Sequence, residues 1–115
     1  MAVAQRLYAR ALFQAADEAG KLVQVASELS RLANAIEETP ALQMLLRNPQ
    51  VDPPEKAEVL NEIVAGGDEL VANFVRVTAE KGRAGELVGI DSELQALVAR
   101  AQNRLAVELT TAHEL

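Results

Sequence analysis

Few side chains in this sequence are equipped for covalent or metal chemistry. There is one histidine, His113, and no cysteine. A nucleophile with its base, or a zinc centre, needs more imidazole or thiolate than that. His113 stands near the end of the sequence and reads as a solvent-facing side chain. Glu55, Glu58 and Glu62 recur at i, i+3 and i+7 and so share one helix face. Carboxylate metal centres in helical bundles pair such glutamates with histidine in a Glu-x-x-His spacing. Without that histidine the stripe reads as a solvated acidic face. Gly66-Gly67 and Gly82-Arg83-Ala84-Gly85 are glycine-rich, but neither follows a strand or carries the lysine of a phosphate loop. Arg6, Arg10, Arg31 and Arg76 remain as candidates for the anion pocket of a small all-helical enzyme, and sequence spacing alone does not bring them together. The expectation is no catalytic residue, no cofactor and no metal.

The elements that would position any site are helical throughout. Residues 3–19 contain no proline or glycine, and Gly20 stands where a helix closes in the left-handed conformation. Residues 21–38 place Leu22, Val25, Ala26, Leu29, Leu32, Ala33 and Ile36 on one stripe, with Glu28, Arg31, Asn34 and Glu38 elsewhere around the helix. Thr39-Pro40 reads as a hydroxyl N-cap followed by proline at the first helical position, opening a short helix over 40–47. Asp52-Pro53-Pro54-Glu55 opens a fourth helix, with Glu55 at the capping-box position, and Gly66-Gly67 stops it. Asp68 caps a fifth helix over 69–81, closed by Gly82. A sixth runs from about residue 86 to at least 105, with Gly89 as an internal weak point. No strand alternation or internal repeat is present. The expected fold is an all-α, compact six-helix bundle over residues 1–105, with 106–115 running out into a linker.

The 115 residues suit one domain with one core. A net charge of −6 argues against nucleic acid and anionic lipid as main partners. Residues 17–69 concentrate the acid, with eleven carboxylates against four basic side chains. No stretch approaches the roughly 20 apolar residues of a membrane span, and no secretory signal is visible. A soluble, cytoplasmic protein without direct membrane insertion is expected.

Two helices carry more apolar surface than one packed face requires. At 100° per residue, Ala11, Ala4, Ala15, Tyr8, Leu12, Ala16, Ala9 and Phe13 cover an arc of roughly 200° on the first helix, whereas a surface helix needs a stripe of about 100°. On the fifth, Val71, Phe74, Val75, Thr78 and Ala79 face one way, while Val77 lies at the border beside Asn73 and Glu80. Two readings fit. Both helices are central and packed on two sides, or their excess faces form a shallow groove for a partner's amphipathic helix.

Several segments then resemble one family in order and spacing. Tyr8-Ala9-Arg10-Ala11-Leu12-Phe13 resembles the opening Y-A-[KR]-A-L-F of the delta subunit of F-type ATP synthases, whose mitochondrial relative is the oligomycin-sensitivity-conferring protein. Leu46-Arg47-Asn48-Pro49 with Glu55-Lys56 and Leu60 is similar to the family's L-x-N-P and E-K segment. Asn73-Phe74-Val75-Arg76-Val77 with Ala79-Glu80-Lys81-Gly82-Arg83 is similar to its N-F-x-x-x-x-A-E-x-G-R signature. The resemblance spans roughly residues 4–113 and implies the N-terminal six-helix domain of a non-catalytic stator subunit. In the family, that domain caps the catalytic head and holds the amphipathic N-terminal helices of alpha subunits, one of them in a groove between its first and fifth helices, and so keeps the head from turning with the rotor. The matching positions are Tyr8, Ala11, Leu12 and Ala15 on the first helix, and Asn73, Val77 and Glu80 on the fifth. Ala11 and Ala15 would permit close approach, Tyr8 and Val77 would supply apolar contact, and Asn73 and Glu80 would orient the partner at the rim. The acidic surface would attract basic residues flanking the alpha helix. Contact with the stalk b subunits would belong to a C-terminal domain beyond residue 115. The resemblance places the complex at the cytoplasmic face of a bacterial inner membrane. Competing readings are a helical adaptor for another amphipathic segment and the small arginine-pocket enzyme.

Overall fold

Glycine punctuation decides where the first and fifth helices end. The structure, a computed structural model, describes residues 2–113, and the side chains of residues 3–103 among them. Helix α1 covers Ala2–Glu18. Gly20, at φ +71°, lets the chain reverse there. Its N–H donates to Asp17 O, and the next N–H, of Lys21, donates to Ala16 O at 2.8 Å, a Schellman closure. Helix α5, Glu69–Glu80, ends the same way at Gly82, with Arg83 N–H donating to Thr78 O at 2.9 Å. Between them lie α2 (Leu22–Glu38), α3 (Pro40–Arg47) and α4 (Pro53–Ile63). A single 3-10 turn, Ala84–Glu86, leads into α6, Leu87–His113. The backbone of α6 is therefore helical through the stretch expected to run out after residue 105.

The helix starts divide into two kinds. Thr39 and Asp52 stand at the expected N-cap positions, but neither side chain accepts a cap hydrogen bond. Prolines at the first helical positions begin those helices instead, because their fixed φ suits a helix and they present no N–H to satisfy. Asp68, at the start of α5, does cap: its Oδ1 accepts from Leu70 N–H at 2.8 Å.

The apolar stripes converge on one core. Leu29 and Leu32 of α2, Leu60 of α4, Val71 and Val75 of α5, and Leu87, Ile90 and Leu94 of α6 are almost wholly buried. Burying side chains of this size is worth roughly 1.5–3 kcal/mol each before entropy is charged against it. Helix α1 packs mainly along α6, α4 lies on α5, and α2 lies on α6. Gly89 has a structural reason for its place inside α6: a Cβ there would meet the side-chain amide of Gln5, so its absence leaves room for α1. Gln95 Nε2 donates to Ala26 O at 3.1 Å and to Asp91 Oδ1 at 3.0 Å, tying α6 to α2. Burial raises the Asp91 carboxyl above its ordinary pKa against the Gln95 hydrogen bond, and the nearby Glu37 charge adds to the rise.

Candidate partner-binding site

Two aromatic rings fix how α1 and α5 meet. Tyr8 and Phe74 are both half-buried and stand edge to face, with centroids 6.3 Å apart and planes at 70°, the geometry favoured by the ring quadrupoles. The Schellman turn at Gly82 delivers Arg83 to the same place, its guanidinium carbon 5.9 Å from the Tyr8 centroid. Arg83 Nη1 also donates to Glu86 Oε2 at 2.9 Å, and this pairing raises the arginine pKa further. A persistent cation therefore lies over the tyrosine, at one end of the contact between the two helices.

Outward from these rings, the helical arcs place the remaining candidates. On α1 the wholly buried residues are Ala9, Leu12 and Ala16. Ala15 is half-buried and Ala11 is exposed, and both lie on the Tyr8 side of that arc, toward α5. On α5, Val71, Val75, Thr78 and Ala79 point into the core. Val77, 42% exposed, follows Phe74 on the outer side. Asn73 and Glu80 lie further out, both exposed, and among the described residues neither side chain makes a hydrogen bond or ion pair. Tyr8, Ala11 and Ala15 thus share one side of α1, and Asn73, Val77 and Glu80 share the outer side of α5, flanking the α1/α5 seam that the Tyr8–Phe74 contact marks.

Leu12 does not belong with them. It is 2% exposed and sits in the core beneath the seam, so no partner can touch it without unpacking α1. The helical arc located the apolar face but not the boundary between its packed and open parts. Three contributors went unassigned to the seam. Phe74 packs edge to face on Tyr8, Arg83 covers Tyr8, and Leu7 stands 58% exposed one turn before Ala11. The i, i+4 relation of Leu7 to Ala11 was the available sequence signal for the last.

The N-terminal end of α5 is held quite differently. Glu28 of α2 is only 8% exposed, and its Oε1 accepts from Asp68 N–H at 2.8 Å. Gln24 Nε2 donates to the other carboxylate oxygen at 3.1 Å. Lys21 Nζ lies 3.1 Å from Asp68 Oδ2. The Leu70 N–H first, and the Lys21 ammonium second, hold the Asp68 carboxyl below its ordinary pKa.

The four arginines considered for an enzyme pocket do not assemble. Arg6 and Arg10 line a cleft between α1 and α6 together with Arg100. Arg31 borders a different cleft beside Glu28 and Gly67, and Arg76 is exposed on α5. Glu55, Glu58 and Glu62 are all exposed, as a solvated face would be. The His113 side chain lies outside the described residues. No helix among the described residues is long and apolar enough to cross a membrane.

The fold and this seam define a small all-α bundle whose distinguishing surface is an exposed strip of small and apolar side chains between two helices. Comparison with known proteins supplies the family. The family described as ATP synthase delta (OSCP) subunit matches residues 3–115, and the chain belongs to it. It is 39% identical to an ATP synthase subunit delta of Oleidesulfovibrio alaskensis, over 98% of this chain and 64% of that protein. A subunit delta of Desulforamulus reducens is also 39% identical, over 99% of this chain and 63% of its own length. For the subunit delta of Chlorobium phaeobacteroides the identity is 34%, over 96% of this chain and 61% of the relative. The chain thus spans somewhat under two thirds of the length of these curated relatives.

Proposed function

We propose that this chain is a non-catalytic stator domain of an F-type ATP synthase, and that its α1/α5 seam receives the N-terminal helix of an alpha subunit. The observation that carries this reading is a coincidence of surface and motif. In the Y-A-R-A-L-F and N-F-V-R-V segments Ala11, Asn73 and Val77 are exposed and Tyr8 is half-open, as is Ala15 one turn beyond Ala11; Arg10, which lines the cleft toward α6, and Arg76 are the other exposed residues of the two segments. Small side chains let a second helix approach, while Leu7 and Val77 offer apolar area that a partner would remove from water. Asn73 and Glu80 leave polar groups at the rim to set its register. Binding there would hold the catalytic head against the turning rotor, at the cytoplasmic face of the membrane. Contacts to the stalk b subunits would fall to sequence beyond these 115 residues.

The direct test is calorimetric titration of a synthetic peptide carrying the alpha-subunit N-terminal helix. Saturable binding with a negative heat-capacity change is expected, since apolar area is buried. Absence of binding at concentrations on the order of tens of micromolar overturns the reading.

A further inference from the structure

The opposite edge of α1 carries a second surface of contrary chemistry. Arg6 and Arg10 are one helical turn apart, and Arg100 of α6 faces the same cleft of about 360 Å³. Ala96 and Leu97 lie in its lining, and Glu93 is the single carboxylate there among the described residues. That carboxylate approaches Arg6 Nε to 3.9 Å, a loose pair. Among the described residues, neither Arg10 nor Arg100 has a carboxylate within 4.0 Å. Among the described residues, three guanidiniums against one carboxylate make a cationic site on a chain of net charge −6. Like charges at i, i+4 disfavour the helix that carries them. The repulsion between Arg6 and Arg10 is therefore offset, among the described residues, only by the loose Glu93 pair, and an arriving anion would relieve it further.

We infer that the α1/α6 cleft is a docking site for an acidic amphipathic helix of a partner protein, beyond and independent of the α1/α5 seam. The cleft is lined from the flanks of two helices, where backbone N–H groups are already committed to i−4 carbonyls. A free phosphate would find no backbone donors of the kind that phosphate sites use. A helix laid along the cleft finds a better match. Its carboxylates, one turn apart, would meet Arg6 and Arg10, which are separated by about 6 Å along α1. The planar guanidinium fork donates two parallel hydrogen bonds to a carboxylate. Apolar residues between those carboxylates would rest on Ala96 and Leu97. The surfaces on the two edges of α1 would then select partners of different chemistry.

The test uses the whole chain and a designed helical peptide, fluorescently labelled, with glutamates at i and i+4 flanking leucine. Fluorescence anisotropy is followed as protein is added, beside a peptide in which glutamine replaces each glutamate. The glutamate peptide is expected to bind at least about tenfold more tightly, with affinity falling as salt rises. Arg6→Ala/Arg10→Ala should abolish that preference, and Arg10→Lys should recover part of it. Circular dichroism and urea midpoints confirm that these exposed-site variants fold. Ala11→Leu, on the other edge of α1, should leave this binding unchanged. Equal binding of the two peptides overturns the inference, as does a preference that survives loss of both arginines. Competition by millimolar inorganic phosphate, or binding confined to vesicles containing phosphatidylglycerol, reassigns the cleft to a small anion or a lipid surface and likewise overturns it.

Discussion

Helix α5 is held by opposite means at its start and along its α1 side. At its start, a buried carboxylate from 40 residues earlier fixes Asp68 N–H, and Lys21 closes on the Asp68 side chain. Along the seam, small and half-exposed side chains meet Tyr8 and Phe74, and apolar surface at Leu7 and Val77 is left open. A buried polar clasp is costly to break because an orphaned donor has no water to turn to. An open apolar seam costs little to alter, because nothing yet fills it. The clasp anchors the start of α5 while Val71, Val75, Thr78 and Ala79 hold its core face, so the seam can stay open without the bundle losing its shape.

The clasp should yield the largest losses of stability. Glu28→Ala strands the Asp68 N–H and is expected to cost about 1–3 kcal/mol in urea unfolding, without a change in m-value. Glu28→Gln keeps an acceptor and should cost under about 1 kcal/mol. Gly67→Ala comes next. Its new Cβ would meet Glu28 Oε1 and stand 3.2 Å from Val64 O, so the carboxylate must move off Asp68. A loss of about 1–2 kcal/mol is expected. In the Glu28→Ala background the Gly67→Ala cost should shrink, because the two changes break one contact. Full additivity in that cycle would show that the clasp is not a unit.

Acid should loosen the clasp before it touches the seam. The Leu70 N–H and Lys21 depress the Asp68 pKa below its ordinary value of 3.8. A depressed carboxylate contributes stability that is fully present above the unfolded pKa and is lost as pH falls through the lower, folded one. Wild type should therefore exceed Asp68→Asn in stability at neutral pH, and the two should converge below about pH 4. Urea midpoints measured across that range give the comparison. Parallel curves would remove Asp68 from the acid response.

How far these regions could be read from the sequence follows from the range of the interactions that make them. Gly20, Gly82 and Asp68 act within a few residues, so the helix ends they produce were legible. The surplus apolar arc of α1 was also legible, because it is a property of one helix. Leu12 was misplaced within that arc, since only the packing of α6 and α5 decides which part of it is covered. Glu28 reads as one polar residue among several on α2, and its partner lies 40 positions away. Arg6 and Arg10 find Arg100 through the α1/α6 contact, which no spacing along the chain reports. Thr39 and Asp52 had the right residue types for caps, but the prolines after them already start their helices.

The smallest expected effect is the most informative about the seam. Ala9 and Ala11 lie two residues apart on α1, the first wholly buried and the second exposed. Ala9→Leu forces three extra carbons into a filled core and should cost about 1–3 kcal/mol. Ala11→Leu adds the same atoms over open surface and should change stability by less than about 0.5 kcal/mol. It should nevertheless weaken the alpha-subunit peptide by about tenfold, because the leucine occupies the space a partner helix needs. If Ala11→Leu destabilises the domain as much as Ala9→Leu, the seam is a packed contact and not a vacant one. If stability and affinity are both unchanged, α1 near Ala11 lies outside the binding surface, and the proposed helix must dock elsewhere.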